Sequence, residues 1–87
     1  MKYAFHHSQY GAYELTDDYA ATRYAGVILR DNPELDEIKV SKFAERVFPK
    51  YSLDRSEERY EPWRTFKRSD FVKVGVRFLP RVGSANG

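Results

Sequence analysis

The chain has no cysteine in 87 residues, and that absence narrows its folding options more than any other feature. No disulfide can staple it, and no thiolate zinc site, iron–sulfur cluster or cysteine nucleophile can be built from it. A chain this short buries only about 60–65% of the surface that its unfolded form exposes. It must therefore fold on apolar side chains alone. The means are present: 41% of the residues are hydrophobic, and six Phe, seven Tyr and one Trp bring the aromatic share to 16%. Disordered segments do not carry such aromatic content. No apolar run approaches the roughly 18 residues of a spanning helix. The start Met1-Lys2-Tyr3-Ala4-Phe5-His6-His7 also lacks the apolar stretch of a secretory leader. The expectation is one small domain over residues 1–80 with a flexible tail at 81–87, cytoplasmic and away from membranes.

Periodicity gives an α+β reading. Residues 2–8 look extended, Ser8-Gln9-Tyr10-Gly11 reads as a turn, and 12–15 returns with Tyr13 and Leu15 inward, making an N-terminal hairpin. A main helix follows over 17–31, with Thr16 as N-cap, Asp17 and Asp18 in the first turn, and Asn32-Pro33 as the stop. Its wheel puts Ala20, Ala21, Tyr24, Ala25 and Ile28 on one face, with Tyr19, Thr22, Arg23, Gly26 and Arg30 opposite. Beyond it, the spacing predicts a helical turn at 33–38 and a short helix at 42–48. Ser41 would cap that helix, and Phe43, Ala44, Val47 and Phe48 would share a face. A third, charged helix is expected from Asp54 to Glu61, before Pro62.

From Trp63 to Leu79 the pattern switches to period two: Val72, Val74, Val76 and Phe78 alternate with Phe71, Lys73, Gly75 and Arg77. Pairing this strand with Trp63–Lys67 around Arg68-Ser69 gives a C-terminal hairpin packed on the helices. The expected core is Phe5, Leu15, Ala21, Tyr24, Ile28, Phe43, Val47, Val72, Val74 and Val76.

Catalytic and metal chemistry find little footing. Adjacent residues on a strand face opposite ways, so His6 and His7 cannot grip one ion together. Asp17 and Asp18 are explained as helix-start residues, and Glu57, Glu58 and Glu61 interleave with Arg55 and Arg59 as solvated faces do. No nucleophile elbow, phosphate-cradling glycine loop or dinucleotide fingerprint occurs. Neither an enzyme, a cofactor nor a metal is expected.

Charge is more informative in its distribution than in its sum. The net +2 divides after Glu45 into a part with five basic and eight acidic residues and a part with ten basic and five acidic. Between Pro62 and Arg81 only Asp70 opposes Arg64, Lys67, Arg68, Lys73, Arg77 and Arg81. On the expected hairpin, Arg64, Phe66, Phe71, Lys73 and Arg77 share the outward face. With Lys67 and Arg68 they form the candidate binding site, and Arg23 and Arg30 are a second choice. Basic residues among exposed aromatics suit a protein interface or single-stranded nucleic acid.

The segment Lys67–Val74 lacks the glycine and aromatic of an RNA-recognition signature. The order of elements follows a winged helix, but its groove-entering helix would be the acidic one at 54–61, which phosphates repel. The expected function is therefore that of a small non-enzymatic protein occupying the surface of a partner protein or ribonucleoprotein. Size and composition suit the accessory and inhibitor proteins of phages and mobile elements, a class that includes anti-CRISPR inhibitors. The alternative is DNA or RNA binding, winged-helix-like or across a sheet face, through the same basic hairpin.

Overall fold

The computed structural model describes residues 1–48 and 56–81 and is α+β. Its elements are β1 (Lys2–Phe5), β2 (Ala12–Glu14), α1 (Asp18–Asp31), β3 (Glu37–Val47), β4 (Glu57–Lys67), a 3-10 turn (Arg68–Asp70), β5 (Phe71–Val74) and β6 (Arg77–Pro80). Four strands form one antiparallel sheet in the order β2-β1-β3-β4, and β5 and β6 form a second, two-stranded one. Among the described residues, no helix is long and apolar enough to cross a membrane.

The N-terminal hairpin pairs Tyr3 with Tyr13. The helix begins one residue later than expected. Asp17, not Thr16, is the N-cap, accepting the Ala20 amide at 2.8 Å. Asn32 closes the other end, donating its amide and its side-chain Nδ2 to the Ile28 carbonyl at 3.0 and 2.8 Å. The buried stripe is Ala21, Ala25, Gly26, Ile28 and Leu29, so the wheel had Gly26 on the wrong side. Tyr24 sits at the edge of that stripe, half-buried, with its ring against Phe5, Tyr13 and Tyr10.

The largest correction lies in the middle of the chain. The expected helical turn at 33–38 gives way to a loop and the start of β3, and the expected helix at 42–48 is the second half of that strand. Residues 57–61 of the expected third helix are strand too, and its start at Asp54 and Arg55 lies outside the described residues. Helical spacing at 42–48 is real, but a ten-rung ladder from Glu37↔Lys67 to Val47↔Glu57 overrides it. Two bulges absorb the misfit, one between Val40 and Ser41 opposite Trp63, the other at Ala44. Pro62 is tolerated because β4 is an edge strand and the residue adjoins the first bulge.

The C-terminal hairpin is also redrawn. Trp63–Lys67 belongs to the large sheet, and the expected long strand folds back on itself, with Phe71↔Pro80 and Val74↔Arg77 in register. Gly75 makes the turn at φ +63°, the positive value at the first central position that a type II′ hairpin needs.

The core lies between α1, one face of the large sheet and the inner face of β5–β6. It consists of Tyr3, Phe5, Ala21, Ala25, Ile28, Leu29, Ile38, Val40, Phe66 and Phe71. Phe5, Ala21 and Ile28 were expected there, and Leu15 and Tyr24 pack against it. Phe43, Val72, Val74 and Val76 do not belong to it, being 36%, 37%, 54% and 78% exposed. Val47 is half-buried at the far end of β3. Strand alternation explains the first of these: Ile38 and Val40 point to the helix, whereas Phe43, with its partner Tyr60, stands on the face of the large sheet turned away from α1.

Candidate interaction surface

The residues of the basic aromatic segment are dispersed over separate environments. Phe66 and Phe71, expected on the outward face, are 3% and 5% exposed, with ring centroids 6.1 Å apart. Phe66 pairs with Ile38 and faces the helix. Phe71 lies against Gly26. Both aromatic contacts of the expected surface are thus core residues, and a stacking platform cannot be made from them.

Arg68 is occupied structurally as well. Its Nη2 donates to the carbonyl of Asn32 at 3.0 Å and to that of Leu35, and the guanidinium lies 5.7 Å from the Phe78 ring centroid. It braces the loop leaving the helix. Arg64 shares the helix side of β4 with Phe66. Its guanidinium stands 5.5 Å from the Trp63 centroid, while Lys42 Nζ stands 4.8 Å from the same ring. Trp63 also meets Tyr3 at 5.4 Å. This cluster adjoins Asp18, which accepts from Tyr3 Oη at 2.6 Å and from Lys42 Nζ at 2.9 and 3.1 Å. Those hydrogen bonds, Tyr3's foremost, hold the Asp18 carboxyl below its ordinary range. Burial, then Asp18 itself, raises the Tyr3 phenol well above its own.

Lys67 is exposed at the end of β4. Lys73 and Arg77 are exposed on the C-terminal hairpin but on opposite faces, since residues directly paired share a face. Lys73 sits with Phe78 on the inner side, and Arg77 with Val74 on the outer. The seven expected residues therefore do not form one patch. What the hairpin presents outward is Val72, Val74, Leu79 and Arg77, with Val76 at its tip. Among the described residues, none of Lys67, Lys73 and Arg77 makes an ion pair. Asp70, the single carboxylate of the segment, accepts the Lys67 amide at 2.9 Å.

Of the second choice, Arg30 pairs with Asp31 at 3.0 Å and reaches the Val76 carbonyl at 3.3 Å, while Arg23 lies 6.0 Å from the Tyr19 ring centroid. The two histidines are used separately. His6 Nε2 shares a 2.7 Å hydrogen bond with Ser41 Oγ, and His7 Nδ1 accepts the Gln9 amide.

A surface missed by the sequence reading is the face of the large sheet turned away from α1. Among the described residues no helix covers it. Its central rungs are Lys39↔Thr65, Ser41↔Pro62 and Phe43↔Tyr60, with His6 and Ala4 alongside on β1. The alternation of Lys39, Ser41 and Phe43 along β3 was the available signal, but a strand had to be assigned there before it could be read. The chain matches no protein-family model, no curated protein and no solved structure.

Proposed function

We propose that this is a non-enzymatic binding protein whose C-terminal hairpin docks on a partner protein, at an apolar surface bordered by carboxylates. The observation that supports it is the outward valine face. Three β-branched residues, the kind a strand normally buries, are between 37% and 78% exposed beside Arg77. Contiguous apolar exposure of this sort favours association, and the cationic flank favours an acidic rim on the partner. The burial of Phe66 and Phe71 weighs against the alternative, nucleic-acid stacking on the aromatics of the basic C-terminal segment.

The test is affinity capture from host lysate with the parent chain, a Val72→Thr/Val74→Thr double variant and Arg77→Glu, each with and without nuclease. Threonine keeps the β-branched shape while removing apolar surface. A captured protein that survives nuclease and is lost from both variants supports the reading. A set unchanged by both variants, or lost with nuclease, overturns it.

A further inference from the structure

The geometry points to a second binding surface, for single-stranded nucleic acid, on the open face of the large sheet. Three rungs of that sheet face away from the helix. One is aromatic: Phe43 is 36% exposed and meets Tyr60 edge-to-face, with centroids 5.8 Å apart and planes at 80°. The middle rung is small, with Ser41 opposite Pro62 and Ala4 beside them. The third is polar and cationic: Lys39 lies opposite Thr65, and the His6 amide donates to the Lys39 carbonyl at 2.9 Å. Alternate residues of a strand stand about 7 Å apart, so the aromatic and cationic rungs are about 13 Å from one another.

Small residues between larger ones leave a trough. It encloses about 310 Å³ and is lined by His6, Lys39, Ser41, Pro62, Trp63 and Thr65, among others, with no carboxylate in its lining. The Lys39 ammonium and the Thr65 hydroxyl offer donors to a phosphate beside the hydrogen-bonded His6–Ser41 pair, and Lys39 makes no ion pair among the described residues. At the aromatic end, Glu58 pairs with Lys2 and Arg46 at 2.7 and 2.8 Å, and Tyr60 Oη donates to its other oxygen. The ring of Phe43 is therefore not bordered by an unpaired Glu58. Lys67 extends the cationic end, although Glu37 stands opposite it in register.

A ring surface beside a donor-lined trough on an open antiparallel sheet suits a splayed strand, with a base on the aromatic pair and a backbone phosphate in the trough. A duplex, with its bases stacked inside, cannot use the ring. This surface is separate from the valine face, so each reading can fail alone.

The experiment is fluorescence anisotropy of the full chain with an end-labelled ten-nucleotide uridine homopolymer at about 50 mM salt. Binding is expected, weakening linearly in log–log form as salt rises. Phe43→Ala and Lys39→Glu should each weaken it at least about fivefold with melting temperature kept. Arg77→Glu should leave it within about twofold, and a duplex of equal length should compete poorly. Absence of binding overturns the proposal. So does equal affinity for duplex, or loss through Arg77→Glu while both sheet variants bind as the parent.

Discussion

The ring of Phe71 lies so close to Gly26 that a β-carbon at position 26 would stand 2.8 Å from its Cε1 and 2.9 Å from its Cδ1. The Phe78 carbonyl oxygen would be 3.0 Å away on the same side. The absence of a side chain in the middle of α1 is what lets the C-terminal hairpin seat against the helix. Gly26→Ala should therefore destabilise the protein, although alanine is the better helix former by about 1 kcal/mol. The expected net loss is roughly 1–3 kcal/mol, or a fall in melting temperature of at least about 4 °C. Combining it with Phe71→Leu should restore part of the loss. A Gly26→Ala protein that melts higher than the parent would remove this contact from the account.

Buried and exposed apolar side chains of the C-terminal half should differ sharply in their response to truncation. Phe66→Ala opens a cavity under the helix and should cost about 3–5 kcal/mol in denaturant unfolding. Val74→Thr, at a position 54% exposed, should change stability by no more than about 0.5 kcal/mol. A valine change costlier than the Phe66 change would place Val74, rather than Phe66, in the core.

Arg68 should behave as a structural residue. Arg68→Ala leaves the carbonyls of Asn32 and Leu35 without their donor, at a cost of roughly 1–3 kcal/mol. Arg77→Ala, on the exposed face of β6, should be close to neutral by the same measurement.

Acid should weaken the anchor of the helix N-terminus. Tyr3 and Lys42 hold the Asp18 carboxyl below its unfolded value of 3.8, so its contribution is present above that value and is lost as pH falls through the folded one. The group is half-exposed, so the contribution at neutral pH is discounted to about 1 kcal/mol. Asp18→Asn should lose that much at pH 7 and converge with the parent in strong acid. Parallel stability curves across the acid range would refute the linkage.

Alkali acts on the tyrosines. Burial first, then the hydrogen bond with Tyr13, pushes Tyr24 up to about 12 from 10.0. The unfolded chain therefore ionises first, and stability should fall as pH rises from about 10 towards 12. Tyr24→Phe should flatten that limb of the curve, leaving the remaining tyrosine slope to Tyr3 and Tyr60, both also raised by burial. An unchanged slope would show that Tyr24 is not shielded as the ring packing implies.

The main helix was legible because its signals are local. Asp17 and Asp18 at the start, an apolar stripe, and Asn32-Pro33 at the end act within a few residues of chain. The N-terminal hairpin was legible for the same reason, through Gly11 and short alternation. At 42–48, local spacing argued for a helix, and only the partner strand 57–67, joined by a long ladder, favoured the extended form. The candidate surface suffered from the same limit. A hairpin pairing chosen one turn too early put Phe66 and Phe71 outside and the valines inside.

The sequence by itself therefore determined the cysteine-free reliance on an apolar core, the helix with its ends, the α+β class and the concentration of positive charge after Pro62. Tertiary structure alone decided which side of the alternating C-terminal strand is buried, because period two names two faces without saying which meets the core. Gly26 decides it, by leaving room on the helix for the ring of Phe71.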